Sequence, residues 1–466
     1  MICKIFHRTI FLAAVLTATL FFACGGGGGG DDDDDRYTTT PAGSLTVSEF
    51  NSFKESHSSY FEDTGFANLI ATFISGGSPA SNGNTYYVSP NGSNSNNGSS
   101  SQAPFKTLPH AFSQLSAGDT LIVMDGTYTP GNEFELSCSG TSSAYITVKA
   151  QNKGKAVISC GSKPNNFALL SVSASFVMVD GLTFKDLRSN GGTGIRVENG
   201  KNHVVIANCT FTDIKTPTKA SNTNHCTSNA IIGYGTSSSS PISSILIYKN
   251  KCYNMATGWS ECISFTENCK YISIIDNYID STQNIGIDVG GNYEWDELPA
   301  ASRFTRYAYI AHNTVANEST KDTYKDTCYG IYSDGGQHIQ IIGNKVVNCM
   351  GGIEAGAEVE EEHGGYPTDD ITISGNQIID CQEVFFACGG YEEDRGWVKN
   401  VTFTGNTCTA TRNADLMVNL AKCDTVVISG NTFTKTGSFE MEGIYREFSA
   451  SYTKNITESN NTWIGF

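Results

Sequence analysis

The stretch GIYSDGGQHIQIIGNKVVNCMGGIEAG, Gly330 to Gly356, decides the fold. Ile339 and Ile341 alternate with polar positions ahead of Asn344, a pattern that reads apolar-x-apolar-x-x-Asn-x-apolar. It recurs as VVIANCTF with Asn208, ILIYKNKC with Asn250, ISIIDNYI with Asn277 and AYIAHNTV with Asn313. It continues as ITISGNQI with Asn376, VTFTGNTC with Asn406, VVISGNTF with Asn431 and ITESNNTW with Asn461. Successive asparagines from Asn208 to Asn461 are 42, 27, 36, 31, 32, 30, 25 and 30 residues apart. FVMVDGLTF, Phe176 to Phe184, fits one step earlier with Gly181 in the asparagine slot, giving about ten coils. Short strands repeated at this interval, with a turn asparagine in register, predict an all-β right-handed parallel β-helix. Each coil buries alternate residues against its neighbours, which a lone coil cannot do. A propeller would need four strands per repeat and a leucine-rich repeat a leucine ladder, and neither pattern is present.

A second strand family runs through GIRVE at Gly194, AIIGY at Ala230, ECISF at Glu261, GIDVG at Gly286, GIYSDGG at Gly330, GIEAG at Gly352, FFACGG at Phe385 and EGIYREF at Glu442. The loops after it vary most in length, and variable loops on one side of a solenoid build its binding face. Placing Ile195, Ile231, Ile263, Ile287, Ile331, Ile353 and Phe386 inward leaves an outward column of Arg196, Ile232, Ser264, Asp288, Tyr332, Glu354 and Ala387. Asp334 lies one outward position further along its strand. Three acids, Asp288, Asp334 and Glu354, therefore converge on one outer face, with Asp288 and Glu354 about 10 Å apart across two coils. Glu261 falls two residues before Ile263, where strict alternation points inward and a strand edge can turn the side chain outward.

Glycine at 48 of 466 residues, with 21 Tyr and 25 Phe, suits a turn-rich β protein. The formal net charge of -17 disfavours nucleic acid as a partner, although Asp31 to Asp35 supply five of those charges in one run. Lys4 and Arg8 precede an apolar run from Ile10 to Ala23, which predicts an export signal. Cys24 then opens GGGGGGDDDDD, a run resembling a bacterial lipoprotein signal in which that cysteine carries the lipid. The expected product is a monomer held at the outer membrane by a flexible tether. The expected divisions are a signal peptide over 1–23, a lipidated cysteine and tether over 24–44, a helical leader over 45–80, a cap over 81–130 with a short helix at Pro109 to Leu115, and the β-helix over 131–466. Thirteen cysteines remain beyond Cys3 and Cys24, without a CxxC pair, so buried free thiols are expected. Cys349 and Cys381 hold equivalent places in successive repeats and could bridge.

The cap segment from YYVSPNGSNSNNGSSSQAPFKTLPHAFSQLSAGDTLIVMDGTYT, Tyr86 to Thr129, is similar to the opening of secreted β-helix proteins of the pectate-lyase-like superfamily, including polysaccharide lyases of family 9. SECISFTENCKYISIIDNYIDSTQNIGIDVGG, the stretch quoted first and CGGYEEDRG resemble a bacterial β-helix repeat subfamily, and the resemblance spans residues 86 to 435. It implies a carbohydrate polymer as ligand. The family 9 calcium cluster contains an Asp-Asp-Gly run, and no strand here carries one, since Asp369 and Asp370 precede ITISGN.

Three chemistries suit the acids. As a lyase, Asp288, Asp334 and Glu354 hold Ca²⁺ against a uronate carboxylate. Arg395 in GGYEEDRG then serves as base or charge neutraliser and Tyr391 as proton donor. As an inverting hydrolase, two of the carboxylates act as general acid and general base, and Glu354 is counted among the candidate catalytic residues. As a noncatalytic protein, they bind glycan or a structural ion. The lyase reading leads because the cap resembles lyase openings. Tyr332, Tyr293, Trp295 and Glu261 complete the predicted substrate surface, the aromatics by stacking on sugar rings. Arg196 is expected to pair at the surface. His363 and the acids from Glu358 to Glu362 read as a solvated loop.

Overall fold

The computed structural model describes residues 40–79, 82–291, 298–326, 328–358, 368–390, 396–446 and 451–466. Among them, short strands stack into three parallel sheets of 13, 12 and 11 strands, with one strand of each sheet in a typical coil. One such coil runs Gln337–Ile342, Lys345–Val347, Gly351–Gly356, and the asparagine marks the turn between its first two strands. We call these the first, second and third sheets. The repeat thus has three strands, the middle one being the short tail after each asparagine. A strand at Leu416–Leu420, LMVNL, also belongs to the third sheet and escaped the sequence pattern.

The alternation does what it predicts. Ile245, Ile272, Ala308, Ile339, Ile371, Val401 and Val426 pair in register down the first sheet, and all are fully buried. Each large aliphatic rung contributes roughly 1.5–3 kcal/mol of burial.

The asparagine ladder runs from Asn250 to Asn461. Each side-chain oxygen accepts from the backbone N–H and the Nδ2 of the asparagine one coil earlier, as Asn277 accepts from Asn250 at 2.9 and 3.0 Å. The amide in turn donates to a carbonyl of the preceding coil, Asn277 to Ile247 at 2.9 Å. A fully satisfied buried ladder fixes register, because slipping a coil would strand every partner. Asn208, expected in this ladder, stands outside it. Thr210 pairs with Lys251, so Cys209 takes the slot, donating its N–H to Asn250, while Asn208 bonds Asp180. Gly181 matches Asn208 and is likewise one residue early.

The helical leader comprises helices at Val47–Ser56 and Thr64–Ile74, with Thr46 and Asp63 as their side-chain caps. It lies on the outer face of the first sheet, where Phe50, Phe53, Phe66 and Ile70 pack on Val205, Leu246 and Tyr309. The cap helix spans Leu108–Phe112 and closes the solenoid end with Leu108, Ala111 and Phe112. The thirteen cysteines beyond Cys24 are free thiols, Cys349 and Cys381 included. The signal segment, Cys24 and the Gly/Asp run fall outside the described residues.

Among the buried acids, Glu318 is fully enclosed and accepts from the Thr282 N–H at 3.0 Å and the Thr282 hydroxyl at 2.9 Å. Burial pushes its pKa up to about 8 despite those bonds. A carboxyl whose folded pKa exceeds its unfolded value costs nothing below pH ~4.5, and the cost grows as pH rises toward 8. Glu318→Gln keeps an acceptor for Thr282 and removes that cost. Urea unfolding at pH 5 and pH 8.5 should show the variant's advantage growing by on the order of a few kcal/mol. A pH-independent difference would refute the assignment.

Candidate functional site

The third sheet carries the acids. Ser264 pairs with Asp288, Asp288 with Tyr332, Tyr332 with Glu354 and Glu354 with Ala387, so the outward column stands in the predicted register. Asn419 continues the column beyond Ala387 and was missed, because its strand was missed. Asp334 sits two residues past Tyr332, opposite Gly356. From strand spacing and rise, the Asp288 and Asp334 Cα atoms lie about 8 Å apart, and those of Asp288 and Glu354 about 10 Å.

Glu261 joins them. Cys262 and Ile263 both enter the core, which breaks strict alternation at the corner and leaves Glu261 outside. Its opposite partner, Ile285, lies in a separate apolar cluster on the outer face with Tyr329, Tyr332, Met350 and Val384. This apolar bed beside the acids is what removes water from them. Asp288, Asp334 and Glu354 are only 2, 4 and 6% exposed, while Glu261 and Glu358 are partly buried and form the solvent-facing edge.

Burial pushes the Asp288 carboxyl well above the usual carboxylate range, and the charges of Glu261 and Asp334 push it further. Neither Asp288 oxygen has a full hydrogen bond among the described residues, and the nearby Asp334 backbone N–H offsets only part of the effect. Glu261 is raised to about 6, chiefly by burial, against hydrogen bonds that include Ser260 at 3.1 Å. Asp334 is held differently. Its Oδ1 accepts from the Glu358 N–H at 3.0 Å. The Tyr332 hydroxyl donates to Glu358 Oε1 at 3.3 Å. Glu358, expected as part of a solvated loop, therefore turns back onto the site. The available signal was its place two residues beyond the strand end at Gly356.

The geometry brings Asp288, Asp334, Glu354, Glu261 and Tyr332 together. Arg196 is three coils away and bonds Glu133 and Glu198 at 2.7 Å each, as a surface pair. Tyr293, Trp295, His363, Tyr391 and Arg395 lie outside the described residues. Among the described residues, no three Asp, Glu, His or Cys side chains are grouped to hold a metal ion. A calcium ion here would need ligands beyond Asp288, Asp334 and Glu354.

Comparison with known proteins places residues 86–261 in a family model described as the Pel9A-like right-handed β-helix region. The uncharacterized protein YwoF of Bacillus subtilis is 30% identical over 335 residues, 70% of this chain and 68% of that one. Pectate lyase L of Dickeya dadantii is 41% identical over 78 residues, which are 16% of this chain and only 18% of the enzyme. Among solved structures, the GH136 lacto-N-biosidase of Eubacterium ramulus superposes with a TM-score of 0.57 at 11% identity, covering 90% of this chain and 80% of that one. That last likeness is one of fold alone.

Proposed function

Because the chain belongs to the right-handed β-helix family of the pectate-lyase-like superfamily, we propose that its acidic face binds a polysaccharide and cleaves it by hydrolysis. The carrying observation is Asp288, a buried carboxyl without a full hydrogen bond among the described residues, in the field of Glu261 and Asp334. Such a group holds its proton above the ordinary carboxylate range and can deliver it. In this reading Asp288 protonates the glycosidic oxygen as the bond to the anomeric carbon breaks. Asp334 accepts a proton from the water that attacks that carbon from the opposite side. The two backbone positions, about 8 Å apart, suit the ~6.5–9.5 Å carboxyl separation that leaves room for this water and implies inversion. The charge of Glu261 adds to burial in holding the proton on Asp288, and the Tyr332 hydroxyl donates to Glu358 at the edge of the site.

The family match over residues 86–261 favours a second reading, β-elimination on a uronic-acid polymer. There Ca²⁺ would lie near Asp288, Asp334 and Glu354 and neutralise the uronate, with Arg395 and Tyr391 as base and donor and Tyr293 and Trp295 stacking on sugar. Export on the signal-like first 23 residues and anchoring through Cys24 would put either activity at the bacterial surface.

The test is product analysis on a panel of neutral and uronic-acid polysaccharides, with and without chelator. Hydrolysis yields new reducing ends without the ultraviolet absorbance of unsaturated sugars and is indifferent to chelator. Chelator-sensitive absorbance would replace it with elimination. Retained binding with neither product would leave a glycan-binding lipoprotein.

A further inference from the structure

A second site lies at the corner leading from the second sheet to the third. Here Arg188, Lys215, Lys219, Thr216 and Gln283 line a cavity of about 310 Å³. No acid lines it, in a chain whose formal net charge is -17. The cations are placed by the fold. Leu187 and Ile214 point into the core, so Arg188 and Lys215, which pair in register on successive coils, point out. Arg188 Nη1 is held by the Leu187 carbonyl at 3.0 Å and by the Asp213 carbonyl at 2.5 Å, neither of which cancels its charge. Lys215 is 3.2 Å from the Asp213 carboxylate and bonds Asn254 at 3.1 Å. Counting Asp213 against Arg188, Lys215 and Lys219, two positive charges remain in excess.

The facing wall is rigid. Thr216 Oγ donates to the Thr218 carbonyl at 2.7 Å, and Asn224 Nδ2 donates to Thr218 Oγ and to the Lys219 carbonyl, both at 2.8 Å. Trp259, stacked on Tyr324 with centroids 3.6 Å apart, donates its indole N–H to Ser221 and pins the same loop. Gln283 Oε1 accepts from the Gly258 N–H at 3.0 Å, which leaves its NH₂ as the donor group. Donors and positive charge without a facing acid, on a wall that need not be ordered at binding, are the makings of an oxyanion site.

We propose that this cavity is a subsite for an anionic substituent, a sulfate ester or a carboxylate, on a polysaccharide that reaches the acidic face. Gln283 stands in the corner turn five residues before Asp288 on the same coil, at most about 18 Å away even for an extended chain, so one polymer spans both places. The volume is at the small end of the ~300–1,000 Å³ range of ligand pockets and accepts one substituted sugar ring. The inference rests on reading the neighbouring face as a polysaccharide site, and it assigns the substrate class: a polymer anionic some units away from the bond that breaks.

The probes are sodium sulfate, sodium galacturonate and neutral galactose, titrated calorimetrically into the full chain at low ionic strength. One or both anions bind, galactose does not, and added sodium chloride weakens binding. Whichever anion binds more tightly identifies the substituent. Lys215→Gln combined with Lys219→Gln weakens that binding by about tenfold or more, and the exposed Lys219→Gln alone weakens it by about threefold with no folding risk. Asp288→Asn leaves anion binding unchanged. If no anion binds, or if the lysine variants bind like the wild type, the subsite is refuted. If anions bind in a lysine-dependent way and no polysaccharide is cleaved, the subsite stands and the hydrolytic reading falls.

Discussion

Asp288→Asn lowers the rate of polysaccharide cleavage by ~10²–10⁴-fold, the usual contribution of a positioned proton donor, while polymer binding stays within about threefold. The amide keeps the shape and cannot give up a proton. Nor should it harm the fold, because the wild-type carboxyl is buried at a cost that the neutral amide avoids, so the variant unfolds at an equal or higher urea concentration. Inactivity with retained stability therefore separates a chemical role from a structural one. The pH profile separates it further. Rate depends on Asp288 remaining protonated, so the alkaline limb of wild-type activity lies above the ordinary carboxylate range. Burial is the first cause of that displacement and the charge of Glu261 the second. Glu261→Gln removes the second cause and shifts the limb to lower pH without abolishing activity. Glu261 itself is half-protonated at about 6, so the two acids titrate as a coupled pair and the variant's profile should also become steeper or simpler near that pH. An unmoved limb in Glu261→Gln would sink the assignment of Asp288 as the acid. Restoration of Asp288→Asn by millimolar calcium would point instead to a lost metal ligand and to elimination.

The reach of the sequence can be judged residue by residue. The column through Ser264, Asp288, Tyr332 and Glu354 was legible because a side-chain period of two, anchored on one buried aliphatic residue per strand, determines every outward position once the register is known. The same rule failed where the backbone abandons the period. At Cys262 and Ile263 two consecutive side chains enter the core, and no pattern in ECISF announces it. Asn208 misled for a related reason: an asparagine one residue early satisfies the motif by eye, but only the hydrogen bond from Cys209 to Asn250 reveals the slip. The basic cavity was not foreseen, since Arg188, Lys215 and Lys219 stand on two coils and a loop and converge only through stacking.

Removing residues 40–76 should be the most damaging change to the fold outside its core. The signal for it is in the first sheet itself. The strands at 204–207, 245–248, 272–275 and 308–311 read VVIA, ILIY, ISII and AYIA, nearly continuous apolar runs, whereas 371–374, 401–404 and 426–429 read ITIS, VTFT and VVIS. A strand with water on one face alternates, and one covered on both faces does not. The boundary between the two types lies near Gln340, which donates to the Tyr60 hydroxyl at 3.2 Å at the edge of the leader's footprint. Within that footprint Phe53 stacks on Tyr309 with centroids 4.0 Å apart, and Phe73 meets Tyr248 edge-on at 5.8 Å. Polar contacts fix the docking, with Glu62 accepting from Ser243 and Ser244, and Asp63 3.0 Å from His203. Stripping this cover exposes Met178, Val205, Leu246, Ile275 and Tyr309 together, on the outer face of a sheet built to be dry on both sides. Each large side chain lost from such an interface costs roughly 1.5–3 kcal/mol, so the summed loss is on the order of 10 kcal/mol, comparable with the whole stability of an ordinary domain. The truncated protein should aggregate or bind a hydrophobic dye strongly, and Phe53→Ala alone should cost about 3–4 kcal/mol in urea unfolding. A truncated chain that stays monomeric, dye-negative and unchanged in melting temperature would show that the apolar runs need no cover, and would detach the leader from the fold.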